Sequence, residues 1–184
     1  KTKTIQCMDR ERLAELFAKY DYKKGAEIGV RSGYYSKVIC ENNPQLEEYY
    51  AVDPWNVVYG DAYSRRDSKA GFRHHYKKAE RLLGIFPYCK IIKKESLDFV
   101  RQVEYESLDF VYIDGSHTFD YVMCDIIEWG KRVKKGGIIS GHDYYEFKRG
   151  NVVDAVNIYA KMHNVETIYL TDEDMPSWWF ERTW

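Results

Sequence analysis

Apolar residues recur along the chain at two alternating spacings. In residues 9–20, Leu13, Leu16, Phe17 and Tyr20 share one face at helical spacing, and Asp9 stands where a cap belongs. Residues 26–30 form a short apolar run that turns through glycines into residues 32–40, where Tyr35, Val38 and Ile39 return to helical spacing. The alternation then repeats. Strands are predicted at 49–52, 90–93, 108–113, 138–140, 166–170 and around 178–182, and helices at 67–83, 96–103, 119–131 and 152–163. Strands that alternate with helices in this way imply an α/β fold, a mostly parallel sheet covered on both faces, with ligands bound just beyond the carboxyl ends of its strands.

Residues 1–184 read as one domain, because there is no repeat, low-complexity stretch or Pro/Gly linker. Residues 1–22 are read as an N-terminal helical segment and residues 54–80 as a lid or acceptor segment. Lys plus Arg number 28 against 29 Asp plus Glu, a net charge of -1, so no long-range field gathers a polyanion and no nucleic-acid partner is expected. No apolar run reaches the ~20 residues needed to cross a bilayer, and residues 1–6 lack a signal-peptide core, so a cytoplasmic protein without a membrane partner is expected. Cys7, Cys40, Cys89 and Cys124 are widely spaced, which supports neither a zinc ribbon nor a disulfide framework. Aromatic residues make up 16% of the chain, an excess that calls for either an aromatic core or a ring-lined pocket.

Chemistry concentrates at the predicted strand ends. After the first of these strands, Gly25-Ala-Glu27-Ile-Gly29-Val-Arg31-Ser32-Gly33 has the form ExGxxxG, not the GxGxxG of a dinucleotide site. A carboxylate there repels a pyrophosphate and attracts a cationic amine. Asp53 closes the next strand, where an acid takes the hydroxyls of a ribose. Together the two acids suit an amine-bearing nucleoside such as S-adenosylmethionine. The strand at 108–113 runs into Asp114-Gly-Ser-His117, and the one at 138–140 into Gly141-His142-Asp143. Adjacent parallel strands bring those loops together.

The segments GAEIGVRSG, AVDPW, SLDFVYIDGSHTFDYV, GGIISGHDY and PSWWF, taken in order, resemble a class I S-adenosylmethionine-dependent methyltransferase, more narrowly the small IDGSH-motif group related to sugar and macrolide O-methyltransferases. The resemblance implies a Rossmann-like three-layer α/β/α sandwich with a seven-stranded sheet in the order 3-2-1-4-5-7-6, strand seven antiparallel. It implies that Glu27, Gly29, Ser32 and Gly33 surround the methionine end of the cofactor, that Asp53 holds the ribose, that Glu95 and Ser96 meet the adenine, and that Asp114 borders the same site. Arg31 replaces the second glycine of many members. A helix amino-cap by Ser96 is a compatible reading.

Two readings cover the acceptor side. Asp114, His142 and Asp143 form a candidate magnesium or other divalent-metal site, in which His-Asp stands where the related sugar enzymes have an acidic pair. Without metal, His117 or His142 serves as general base beside Asp143. Either way the expected reaction is O-methylation of a small-molecule or sugar hydroxyl, since the (D/N)PPY signature of amino-directed enzymes is missing. The competing classes are a nucleotide-dependent sugar-modifying enzyme or oxidoreductase, and a non-catalytic cofactor-binding module. Trp55, Tyr59, Tyr63, Arg65, Arg66, Phe72, Arg73, His74, His75 and Tyr76 are expected to grip the acceptor or form a solvated amphipathic helix. His74 and His75, adjacent on a helix, are not expected to act as paired ligands. Trp178 and Phe180 are expected on one face of the last strand and Trp179 on the other, one face core and the other a contact surface, while Trp184 is read as either a homodimer contact or simply exposed.

Overall fold

A computed structural model describes residues 2–57, 67–146 and 151–184. Among these residues eight strands form one sheet: β1 (Lys3–Met8), β2 (Lys24–Ile28), β3 (Glu48–Val52), β4 (Cys89–Ile92), β5 (Leu108–Ile113), β6 (Val133–Gly141), β7 (Thr167–Thr171) and β8 (Trp178–Glu181). Their order is β1-β7-β8-β6-β5-β2-β3-β4, with β8 antiparallel to both neighbours and every other pairing parallel. Counted from β2, this is the 3-2-1-4-5-7-6 arrangement expected, with one strand added at the edge. That strand corrects the reading of residues 1–22 as helix alone. Lys3 to Met8 pair in parallel with β7 through the backbone, and their side chains are mostly exposed.

Among the described residues, six helices cover the sheet: α1 (Arg10–Lys19), α2 (Tyr34–Asn42), α3 (Lys69–Leu83), α4 (Ser96–Phe99, continued by a 3-10 turn at Val100–Gln102), α5 (Phe119–Gly130) and α6 (Val152–Met162). Asp9 caps α1, accepting the Arg12 amide at 2.8 Å. Helices α1, α2 and α3 bring Leu13, Phe17, Ile39, Ala79 and Leu83 against Tyr49, Phe110 and Tyr112 on one face of the sheet. On the other face Phe99, Val122, Ile126, Trp129, Val156 and Tyr159 pack against Val111 and Ile139. Each fully buried Leu or Phe contributes about 1.5–3 kcal/mol from area removed from water.

The aromatic excess resolves largely into this double core. Phe17 stacks on Phe110 with centroids 3.9 Å apart, and Tyr35 lies 4.4 Å from Tyr112. Trp178 and Phe180 join the core under α5 and α6 while Trp179 joins the core under α1 to α3, so both faces of β8 are buried. The expectation of a contact surface there is corrected, because β8 lies between β6 and β7 with helices above and below. Trp184 packs back onto the chain, its ring stacked 4.1 Å from His163. Tyr59, Tyr63, Arg65 and Arg66 of the acceptor segment lie outside the described residues.

The carboxyl ends of β2 and β5 meet closely. Asp114 donates its amide to the Ile28 carbonyl at 2.7 Å, and Gly29 donates to Val52 at 2.8 Å. Gly29 has φ +92°, and a β-carbon there would stand 2.0 Å from the Asp114 carbonyl oxygen. The glycine is therefore required by the approach of the two strand ends as well as by its left-handed backbone. Gly29→Ala is expected to destabilise the protein by about 3 kcal/mol or more, since it adds backbone strain to a clash with an unyielding carbonyl. Urea denaturation midpoints measure it; a loss below 1 kcal/mol on the order of a surface change would contradict this account.

Candidate active site

Three loops converge over the ends of β2, β3, β5 and β6. The first runs through Val30, Arg31, Ser32 and Gly33, and it folds around Asp53. The Asp53 carboxylate accepts the Arg31 amide at 2.8 Å and the Trp55 amide at 2.6 Å, while the Trp55 indole donates to the Arg31 carbonyl at 2.7 Å. Burial raises the Asp53 pKa against the pull of those amides. Arg31 accepts the left-handed turn, φ +50°, that a glycine often fills. Gly33, φ +79°, opens α2 with its missing side chain against Ala79 and Leu83 of α3, so it serves helix packing.

Ser32 is buried, and its hydroxyl lies 2.7 Å from Nδ1 of His75, whose Nε2 lies 3.1 Å from Asp67. His75 thus ties the start of α3 to the first loop. The sequence offered no local signal for this contact, which spans 43 residues.

Glu27 is 2% exposed and accepts hydrogen bonds from Ser36 and from the Tyr49 hydroxyl, the latter at 3.1 Å. Burial pushes its carboxyl up to about 8, opposed by the Ser36 hydrogen bond and by the charge of Arg10. Glu95 is exposed and precedes α4 without a side-chain capping bond. The Ser96 hydroxyl does not cap α4 either: it donates to Asp125 at 2.5 Å and accepts the Trp129 indole at 2.8 Å. Asp125, buried on α5, is raised to about 7 by burial. It stands among Val122, Ile126 and Trp129, and a lone acid on so apolar a helix face was the signal that could have drawn attention to it.

The loops after β5 and β6 bring Asp114, His117, His142 and Asp143 together. His117 Nε2 lies 2.7 Å from Asp143 Oδ2, and His142 Nδ1 lies 3.1 Å from Asp143 Oδ1 and 3.7 Å from Asp114 Oδ1. Burial alone would raise Asp143, but the hydrogen bonds from both imidazoles and their charge outweigh it and hold the carboxyl well below the usual range. Asp143 takes a left-handed backbone, φ +58°, which aims its carboxylate back between the two rings. Asp114 is raised by burial and by Asp143, opposed by Arg10 and His142. Among the described residues, donor atoms of Asp114, His117 and Asp143 lie within 4.8 Å of one another. His117 thus joins the two carboxylates of the set read from the sequence, and His142 also turns its Nδ1 toward both of them.

Arg10, at the start of α1, was not anticipated. Its Nη2 donates to Asp114 Oδ2 at 2.9 Å, and its guanidinium carbon sits 3.9 Å from the Tyr35 ring centroid and 5.1 Å from that of Tyr112. Ile113, Val122, Val152 and Trp178 wall the cleft beside Asp114, His117, His142 and Asp143, a cavity of about 10 Å³ as it stands.

The sheet order with antiparallel β8 is that of the class I methyltransferase fold, and the cavity lies beyond the carboxyl ends of β5 and β6. The methyltransferase-domain family matches residues 26–144, roughly two thirds of the chain, and the protein belongs to that family. No curated protein sequence matches it. Among solved structures, the O-methyltransferase from Bacillus cereus in complex with SAH is 14% identical with a TM-score of 0.67, covering 94% of this chain and 80% of that one. The O-methyltransferase TomG from Streptomyces achromogenes, involved in tomaymycin synthesis and in complex with SAM, is 13% identical with a TM-score of 0.64, covering 94% and 79%. Spermidine synthase from Thermotoga maritima is 16% identical with a TM-score of 0.63; this chain spans 58% of it. Among the described residues no helix is long and apolar enough to cross a membrane.

Proposed function

We propose that the protein transfers a methyl group from S-adenosylmethionine to a hydroxyl of a small molecule or sugar, with His142 as general base. The observation that supports this is the pair His142–Asp143 beyond the carboxyl end of β6, on the same carboxyl-end side of the sheet as Glu27 in β2 and Asp53 after β3. The residues fit the cofactor's parts: Asp53, held by two amides, retains lone pairs for ribose hydroxyls, and the carboxylates of Glu27 and Asp114 suit an ammonium. When bound, S-adenosylmethionine supplies a methyl group on a sulfonium, itself a good leaving group. The chain's own part is to position the reactants and to take up a proton.

Asp143 accepts from Nδ1 of His142, so the neutral ring carries its proton there and leaves Nε2 as the basic nitrogen. Nε2 then removes the acceptor proton as the hydroxyl attacks, and Asp143 steadies the imidazolium that forms. His117 clamps the second oxygen of Asp143 and so fixes its direction.

A second reading rests on the cluster of Asp114, His117 and Asp143, a donor set of two carboxylates and an imidazole that suits a divalent cation. Such an ion would lower the pKa of an acceptor hydroxyl. Arg10, 2.9 Å from Asp114, opposes a second cation there and favours the base reading. Titration calorimetry should give binding heat with S-adenosylmethionine and none with nicotinamide dinucleotides. Methyl transfer should survive exhaustive chelation; loss of transfer restored by magnesium would replace the base reading by the metal one.

A further inference from the structure

A second groove lies at the amino ends of β5 and β6, across the sheet from Asp114, His142 and Asp143, where the transfer chemistry has no use for it. There the segment between the 3-10 turn and β5 meets the turn that follows α5. The Glu106 amide donates to the Lys131 carbonyl at 3.1 Å and the Leu108 amide to the Arg132 carbonyl at 2.8 Å. The groove has a volume of about 380 Å³, and Arg101, Val103, Glu104, Tyr105, Glu128 and Arg132 are among the residues that line it.

Arg132 has more donors than its surroundings satisfy. It is 4% exposed, and a buried guanidinium needs acceptors for its N–H groups. Nε donates to the Val100 carbonyl at 3.1 Å, but Nη2 stands 3.8 Å from Glu128, beyond hydrogen-bond reach, and Nη1 has no acceptor among the described residues. Glu128 is itself engaged by Lys131 at 2.6 Å. The helix dipole accounts for a cation at the carboxyl end of α5, and Lys131 supplies one at the surface; it does not account for a second one drawn inside.

Two neighbours add to this unspent capacity. Arg101 is exposed, and no acid among the described residues pairs with it. Tyr105 takes the Arg132 guanidinium over its ring, carbon to centroid 3.9 Å, and is nevertheless 67% exposed. With Lys131 included, three cations stand against Glu104 and Glu128. The volume suits a small organic molecule better than a bare ion.

We propose that this groove binds a small aromatic carboxylate, whose anion pairs with Arg132 and Arg101 and whose ring packs beside Tyr105. A carboxylate accepts two parallel N–H bonds from a guanidinium, and a flat ring on the same molecule covers aromatic surface that is otherwise exposed. The occupant is neither cofactor nor methyl acceptor, because the site and the catalytic cleft lie at opposite ends of the strands.

Amide NMR titration of the whole chain with benzoate tests this. Saturable shifts are expected at residues 101–105 and 128–132, with a dissociation constant on the order of 1 mM or tighter. Benzamide, the same ring without the charge, should bind at least about tenfold more weakly, and so should acetate, the charge without the ring. Arg101→Gln, a change at an exposed side chain, should weaken benzoate by roughly three- to tenfold, and Tyr105→Leu should weaken benzoate while leaving acetate unchanged. Arg132→Lys should weaken both anions, since an ammonium lacks the planar fork; if that variant fails to fold, the Arg101 and Tyr105 variants still decide. Shifts that do not saturate, shifts centred instead on Asp114, His117 and His142, equal affinity for benzamide, or an Arg101→Gln protein indistinguishable from wild type would overturn the site. Inorganic phosphate binding as tightly as benzoate would overturn the aromatic assignment.

Discussion

Replacing His142 by alanine is expected to lower kcat for methyl transfer by about 100- to 10,000-fold, the usual contribution of a positioned general base, while the affinity for S-adenosylmethionine changes less than about threefold. The acceptor can be found by screening labelled methyl donor against phenols and sugars, and the same assay then reads the variant. The separation follows from the geometry. His142 faces Asp143 and Asp114 beyond β5 and β6, whereas Asp53 and its two amide partners lie beyond the end of β3. Asp143→Asn should approach the same loss, because asparagine tolerates the left-handed backbone but no longer steadies an imidazolium. Full transfer by His142→Ala would move the base to His117 or remove base catalysis altogether.

The sequence carried the layered architecture because its central strands are buried on both faces and its helices on one, so period and run length were both informative. Residues 108–113, for example, are apolar at nearly every position, and β5 occupies that same span. β1 left no such trace. Lys3, Thr4 and Gln6 are exposed, and the strand is held at the sheet edge by backbone pairing with β7, which any side chain permits. β6 begins five residues before its apolar stretch because Val133 to Gly137 pair or pass at an exposed end through Lys134 and Lys135.

The site divides in the same way. Asp53, Asp114, His142 and Asp143 were legible because parallel sheets place loops at carboxyl ends, and motif order told which end each occupied. Arg10 was not legible: on α1 it reads as part of a solvated face, and its partner Asp114 lies 104 residues away. Ser96 was legible as a position but not as a contact, since its hydroxyl turns inward to Asp125 and Trp129. Of the rings read as gripping the acceptor, Trp55 is buried and Phe72 and Tyr76 are half-buried against the core under α1 to α3, because composition alone does not distinguish a buried ring from a cleft-lining one.

Glu27→Gln should stabilise the unliganded protein at high pH and leave it nearly unchanged at pH 5. The carboxyl has an ordinary value of 4.5 and is pushed up to about 8 in the fold, chiefly by burial. A raised folded-state value means that the folded state holds its proton while the unfolded chain releases it. The favourable contribution is complete below about 4.5 and is lost as pH rises through 8. At pH 9 the loss is on the order of 4 kcal/mol, and glutamine, which mimics the neutral acid toward Ser36 and Tyr49, escapes it. Asp125, raised to about 7, leaves the variant a smaller slope of the same sign, while Asp143, held low, acts only under acid conditions and in the opposite sense. Urea midpoints across pH 5 to 9 measure the difference, and parallel profiles for the two proteins would contradict it. The same substitution should weaken S-adenosylmethionine, and wild-type affinity should rise toward pH 8, because an ammonium brought near Glu27 favours the ionised carboxylate and releases its proton. A buried acid that costs the empty protein stability and repays it when a cation arrives is what a binding site does and what a core residue does not.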